Sequence, residues 1–335
     1  MRAVTTIGDH RVATLDHPLP EPGEGEVRVR VHGAGLNRAD LLQRAGLYPP
    51  PPGSPADIPG LEFSGVIDAV GPGVRGREVG DAVFGIAGGG GQAEALVVPA
   101  EHCAPVPNPL ADGDALVTMG GVPEAFVTAH DAMIIRARAR PGEWILVHAV
   151  GSGVGTAALQ LAKALGCKVA GTARGADKLD RCMALGLDAA IVPPHTAEGT
   201  LDVAAFAEAI RDATDGGAHV TLDLVGGDYV TAEVLAAAPR GRIVFIGTLA
   251  GGHATLPVLT VMQRRLDLHG TVLRTRDRVE KAAATAAFVR DVVPHFADRT
   301  IVPVIDRVVA LADADSAYEL LASDATFGKV VLDCR

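Results

Sequence analysis

The chain has 335 residues, 48% of them hydrophobic and only 4% aromatic, with 40 glycines and a formal net charge of -10. That length suits one large or two medium domains, and the acidic balance excludes duplex nucleic acid as the main partner. No apolar run approaches the roughly 20 residues of a membrane-spanning helix; the dispersed Cys103, Cys167, Cys182 and Cys334, and an N-terminus without a charged, then apolar leader, predict a cytoplasmic protein with reduced thiols.

Residues 1 to 118 alternate short β-type runs with turn formers, in "GEVRVRVHGAG", "GVIDAVGPGV", "VGDAVFGIAG" and "QAEALVVPA". They predict a twisted, mostly antiparallel, barrel-like unit. Within it, "NRADLLQRAGLYPPPPGSPADIPG" starts as a short helix and becomes an ordered loop through its prolines. "GGGG" at 88–91 has no helix after it and reads as a hairpin or flexible turn.

The pattern changes after "MGGVPEAFVTAHDAM", an expected helix. "WILVHAV" is a continuous apolar strand of the buried kind, and the helix "GTAALQLAKALG" follows its glycines. "CKVAGTA", "AAIV", "AHVTLDLVG", "GRIVFIG" and "LDLHGTV" supply five more strands, with helices between most of them. Six strands joined in this way predict a doubly wound parallel sheet with its ligand crevice at the carboxyl ends of the strands. After residue 272, "VIDRVVA" and "GKVVLD" cannot extend that sheet and are expected to return to the first domain.

The turn "HAVGSGVG" lies where a dinucleotide pyrophosphate meets a helix N-terminus. Ser152, Gly153, Val154 and Gly155 are its candidate contacts, although Val150 and Ser152 stand where the first two glycines of G-x-G-x-x-G belong. At the end of the second strand, "GTARGADKL" offers Thr172, Arg174 and Lys178 with no carboxylate until Asp177. This favours a ribose 2'-phosphate, hence NADP(H) over NAD(H); the alternative is that both cations are solvated helix-start residues. No HxH or HExxH pair predicts a metal site, and no GxSxG elbow predicts a covalent nucleophile.

In "GAGLNRADLLQRAGLYPPPPGSPADIPGLEFSGVIDAVGPGV", "PEAFVTAHDAM", "HAVGSGVGTAALQLAKALG" and "FGKVVL" the chain resembles the medium-chain dehydrogenase/reductase superfamily over nearly its whole length. The likeness is to the zinc-free, zeta-crystallin-like quinone oxidoreductases, and "LRTRDR" looks most like the tumour-suppressor-inducible branch. The resemblance implies an α/β protein: a GroES-like, mostly antiparallel β-barrel catalytic domain from residues 1–118 and 273–335, a Rossmann domain at 119–272, and NADPH in the cleft between them. Where zinc-dependent relatives keep a cysteine and a histidine as metal ligands, this chain has Asn37 and Leu61, so the resemblance implies no catalytic zinc; the four-cysteine structural zinc lobe is missing too.

By position in the family pattern, Tyr48 lines the substrate cleft and donates to a developing oxyanion, or else packs on the prolines after it. Asn37 donates to substrate or nicotinamide ribose; Thr128, Val225, Phe245, Ile246, Gly247 and Leu273 surround the nicotinamide half. Gly328 and Lys329 reach the cofactor phosphates, unless Lys329 is a solvated strand residue. Pro193 replaces a tyrosine that similar NADPH enzymes place after the third strand, which counts against NADP. Glu62, beside Leu61, is expected to be a structural carboxylate held by backbone amides or an arginine. The implied activity is NADPH-dependent reduction of a quinone by a homodimer or tetramer. The alternatives are reduction of α,β-unsaturated aldehydes or ketones, and a non-catalytic, crystallin-like NADPH-binding protein.

Overall fold

The computed structural model describes residues 1–335. In chain order the first strands are β1 (Arg2–Ile7), β2 (Arg11–Asp16), β3 (Glu26–Gly35), β4 (Glu62–Val70), β5 (Ala82–Ile86), β6 (Ala95–Pro99) and β7 (Cys103–Pro105). Next come β8 (Trp144–Val147), β9 (Lys168–Thr172), β10 (Ala189–Ile191), β11 (Ala218–Asp223), β12 (Ala237–Phe245) and β13 (Asp267–Gly270). β14 (Ile305–Ala310) and β15 (Lys329–Asp333) close the chain.

Two compact units result, Met1–Val127 with Leu273–Arg335, and Thr128–Val272. In the first, a seven-stranded sheet runs β14-β15-β3-β4-β5-β7, with β6 also on β3. β3 carries three partners because it is ten residues long: β6 takes Glu26–Arg30 and β15 takes Gly33–Gly35, both antiparallel. Its alternate residues Val27, Val29 and Val31 are fully buried in one core with Phe63 and Ile67, the period-2 pattern of a strand with one face inward. The C-terminal tail therefore joins this sheet through β15.

The segment leading to the second unit reaches Val127, past the boundary expected at 118, because it is bound to the first sheet. The main-chain amide of Glu124 donates to the Glu62 carboxylate on β4, and Phe126 packs edge-on against Phe296 at 4.9 Å. The helix read from "MGGVPEAFVTAHDAM" is instead Gly113–Met119, then Pro123–His130 running on into a wider helical turn, Asp131–Arg136. Gly88–Gly91 form neither a hairpin nor a loose turn: Gly90 and Gly91 donate to Ile58 and Gly60, and the segment is largely buried.

The second unit is a six-stranded, all-parallel sheet in the order β10-β9-β8-β11-β12-β13. The order reverses beside β8, so the turn after β8 lies at the switch point where such sheets bind ligands. Its strands are apolar on both faces, as helix-covered parallel sheets require; Ile145, Leu146 and Val147 are fully buried. No helix of either unit is long and apolar enough to cross a membrane, and all four cysteines are buried and unpaired.

Candidate active site

The second unit presents a dinucleotide cradle. Helix Gly153–Ala164 starts at Ser152, whose Oγ accepts the Gly155 amide at 3.1 Å, a cap worth about 1 kcal/mol. The amides of Gly153 and Val154 make no bond within the protein, which leaves them directed to an anion at the positive end of the helix. A Cβ on Gly155 would lie 2.5 Å from the Ala149 carbonyl, so only glycine lets the helix start this close to the turn. These features are of the kind that suits a pyrophosphate.

Arg174 stands exposed in the turn after β9, and Lys178 is partly exposed one turn into the helix that follows. Both fit a 2'-phosphate contact. Thr172 does not present its side chain: it is 1% exposed, and its Oγ1 lies 3.0 Å from Nδ1 of the buried His148. Thr128 is buried on the helix Pro123–His130. Val225, Phe245, Ile246 and Gly247 are partly exposed at the strand ends.

The residue that arranges those strand ends is one the sequence reading passed over. Asp223, fully buried at the end of β11, accepts the amides of Val225 (2.7 Å) and Gly226 (2.8 Å) with its Oδ1, and its carbonyl accepts those of Ile246 and Gly247. The signal was present in "DLVGG", an acid ahead of a glycine pair, where its carboxylate can accept the amides two and three residues on.

In the first unit the structure overturns several expectations together. Lys329 does not extend towards phosphates: it is 6% exposed, and its ammonium donates to Leu36 O (2.6 Å) and Asn37 Oδ1 (2.7 Å) and pairs with Glu62 Oε1 (2.6 Å). Asn37 Nδ2 donates to the same Glu62 oxygen at 2.9 Å, so its amide is used inside the protein rather than offered to a substrate. Gly328 serves geometry, with φ of +82° and a Cβ position 2.2 Å from the Val304 carbonyl. Leu273 is a core residue of this unit, 5% exposed.

Glu62 is thus a structural carboxylate as expected, but its cation is a lysine. Its Oε2 accepts the Glu124 amide at 2.9 Å, and its Oε1 fills space that a Cβ on Gly35 would occupy. The network continues through Asp40, whose carboxylate accepts the amides of Asn37 and Gly60 and the Gln92 side chain, and on to Tyr318, which donates to Gln92. Burial pushes Asp40 up to about 6 against the pull of those amides and of Lys329.

Tyr48 is half-buried, and its hydroxyl makes no hydrogen bond within the protein. Its ring packs on a guanidinium: Arg274 sits 4.7 Å from the ring centroid. Arg274 is itself 3% exposed and donates to the carbonyls of Tyr48 and Gly88 and to Gln43 Oε1. Burial raises the Tyr48 phenol, Arg274 lowers it and Glu124 raises it. Nearby Glu124 is pushed up to about 8, first by burial and next by the Glu62 charge. Around Leu61, 2% exposed, no group of three or more metal-ligating side chains is assembled in this chain.

Comparison with known proteins matches residues 23–108 to an alcohol dehydrogenase GroES-like domain and residues 153–287 to a zinc-binding dehydrogenase. A solved NAD-dependent alcohol dehydrogenase is 31% identical, with 99% of both chains covered and a TM-score of 0.81. A mycobacterial protein solved in complex with NADPH is 28% identical over the same coverage, with a TM-score of 0.85. Quinone oxidoreductase-like protein 2 of Bos taurus is 28% identical over 97% of this chain and 90% of its own. The pikromycin polyketide synthase component of Streptomyces venezuelae is 39% identical over 231 residues, but the chain spans only 6% of its length.

The buried pair gives a stability prediction. Lys329→Met leaves the Glu62 charge buried without a cation and should cost about 3 to 5 kcal/mol. Adding Glu62→Gln should return most of that loss. Chemical denaturation of the native protein, the single variant and the double variant reads both effects; equal midpoints for native and Lys329→Met would show that the pair carries no such burden.

Proposed function

Because the chain belongs to the medium-chain dehydrogenase/reductase superfamily, we propose that it is a zinc-independent NADPH-dependent reductase of quinones or similarly electrophilic carbonyl compounds. The observation that carries this reading is the Lys329 ammonium on Glu62, beside Leu61 and the committed amide of Asn37. The donor set that would hold a metal is replaced there by an apolar side chain and an internal ion pair. Polarisation of the acceptor then rests on hydrogen bonds, which suits acceptors that are already electron-poor.

In this reading the amides of Gly153 and Val154 hold the pyrophosphate, and Arg174 with Lys178 selects the 2'-phosphate. The bound nicotinamide supplies hydride. Tyr48 donates a hydrogen bond to the oxygen that gains charge, and Arg274 fixes the ring that carries the donor. Likeness to the bovine quinone oxidoreductase-like protein and to "LRTRDR" of the tumour-suppressor-inducible branch supports quinones. The polyketide synthase identity favours a second reading, reduction of the carbon-carbon double bond of an α,β-unsaturated carbonyl, since polyketide assembly passes through such groups.

A homodimer is the partner this surface favours. β13 ends the parallel sheet with one edge unpaired, and the adjacent helix Val258–Arg264 exposes Val258 (57%), Leu259 (65%) and Met262 (67%). An open edge flanked by apolar side chains is self-complementary across a two-fold axis. Sedimentation should show a dimer that Leu259→Glu with Met262→Glu converts to monomer; a monomeric native protein would end this reading.

Two further outcomes are expected. NADPH oxidation should proceed with 9,10-phenanthrenequinone faster than with 2-alkenals, and Tyr48→Phe should lower kcat about 10-fold or more; no turnover with any quinone overturns the first reading in favour of the second, and tight NADPH binding without turnover of either class would favour the crystallin-like alternative. Arg174→Ala should weaken NADPH by about 10-fold or more and NADH little, whereas equal losses in a direct binding titration would make Arg174 structural.

A further inference from the structure

We propose that His148 is a positioning residue of the dinucleotide cradle: together with Thr172 it fixes the left-handed turn at Ala149, and through that turn the direction of the Gly153 and Val154 amides. This rests on the reading, given above, that those amides hold the pyrophosphate.

Ala149 has φ of +49°, a left-handed conformation that an L side chain adopts only at a cost. Its carbonyl accepts the Ser152 amide at 2.9 Å and is the atom that a Cβ on Gly155 would meet first. The Ala149 peptide therefore sets where the helix Gly153–Ala164 begins. A strained turn of this kind persists only where its surroundings hold it.

One residue of β9 holds both of its flanks. The Thr172 carbonyl accepts the Val150 amide at 3.0 Å, and the Thr172 Oγ1 lies 3.0 Å from His148 Nδ1. Whichever of those two side-chain atoms carries the hydrogen, the ring nitrogen is committed to β9. Gly171 makes room for this grip, since a Cβ there would lie 2.7 Å from the Val150 side chain. The main chain of His148 is tied in turn to β11, its amide donating to the Leu222 carbonyl at 3.2 Å.

The fully buried imidazole is also kept from rotating. From the helix Asp228–Ala236, the Tyr229 ring stands perpendicular to it at 5.1 Å, and Glu233 Oε2 meets its Nε2 at 3.2 Å. From the helix Val203–Ala213, Phe206 lies tilted against it at 5.8 Å. These contacts aim Nδ1 at Thr172. A hydrogen bond buried on every side is not exchanged for one to water when a partner is removed, so its loss carries the full cost of an unsatisfied group. Thr172 thus acts on the cradle through the turn, with a hydroxyl that is itself out of reach.

Equilibrium titration of the intact protein with NADPH tests this in a double-variant cycle. Thr172→Val, which keeps the shape and removes the hydroxyl, should weaken NADPH about 5-fold or more, and Thr172→Ser should restore most of the loss. His148→Phe, which keeps a ring between Tyr229 and Phe206, should weaken NADPH to a similar extent. The double variant should bind no worse than the weaker of the two, because both changes remove one contact. Adenosine 2'-monophosphate, which has no pyrophosphate, should bind Thr172→Val as it binds the native protein. Native NADPH affinity in Thr172→Val, losses that multiply in the double variant, or a matching loss of the monophosphate overturns the proposal. If His148→Phe does not fold, Thr172→Ser decides, and a loss equal to that of Thr172→Val overturns it. Gly153→Pro removes one outward amide at a helix position that accepts proline, after a residue already extended as proline requires. Native NADPH affinity in that variant would sink the pyrophosphate reading itself, while a loss there beside native affinity in Thr172→Val would sink only the role of His148.

Discussion

The first unit depends on one buried ion pair, Lys329 with Glu62. Neither side chain reaches solvent to any extent, and a buried charge without its partner costs several kcal/mol. The pair joins β15, from the end of the chain, to β4, near its beginning, and its hydrogen bonds draw in the Asn37 side chain and the Glu124 amide. β15 and β4 flank β3 in one sheet, and the ion pair ties them directly across it. Apolar contacts tolerate sliding; a bidentate carboxylate with three donors does not.

That pair also shows what could be read from the chain and what could not. Leu61 was legible, because a side chain that cannot bind metal is a property of one residue. The glycine turn and the parallel sheet were legible because they rest on local pattern: a buried apolar strand, a tight turn, then a helix. Lys329 was misread because its partner lies far away in sequence, and a strand lysine gives no local sign of whether it points to solvent, a phosphate or a buried acid. Asn37 was misread for the same reason, since its amide is satisfied by residues from β4 and β15. Arg274 stood in a quoted segment, yet its place against the Tyr48 ring came only with the fold.

The second unit solves a different problem with a similar device. Its cradle needs main-chain amides aimed outward at the strand ends, and turns of that kind are unstable unless something gathers the remaining amides. Asp223 does so from beneath, with side chain and main chain together. A carboxylate that accepts two amides resists the burial that raises it. These strand ends are therefore shaped by an acid buried beneath them.

Buried acids occur in both units, and comparing them separates structure from chemistry. Glu233 is fully buried, with one oxygen 3.2 Å from His148 Nε2. Burial pushes Glu233 well above the usual carboxyl range and drives His148 down to about 3. Burial disfavours the charged form of each, which pushes this contact away from an ion pair and towards one between an acid and an imidazole. Because its folded-state value lies above the ordinary one, Glu233 costs stability progressively as pH rises from the usual carboxyl range towards that elevated value. Glu124 is raised by burial too, but it is partly exposed and its carboxyl has no fixed partner. An acid can serve a reaction only if its proton can leave and return, a condition that the fully buried Glu233 does not meet.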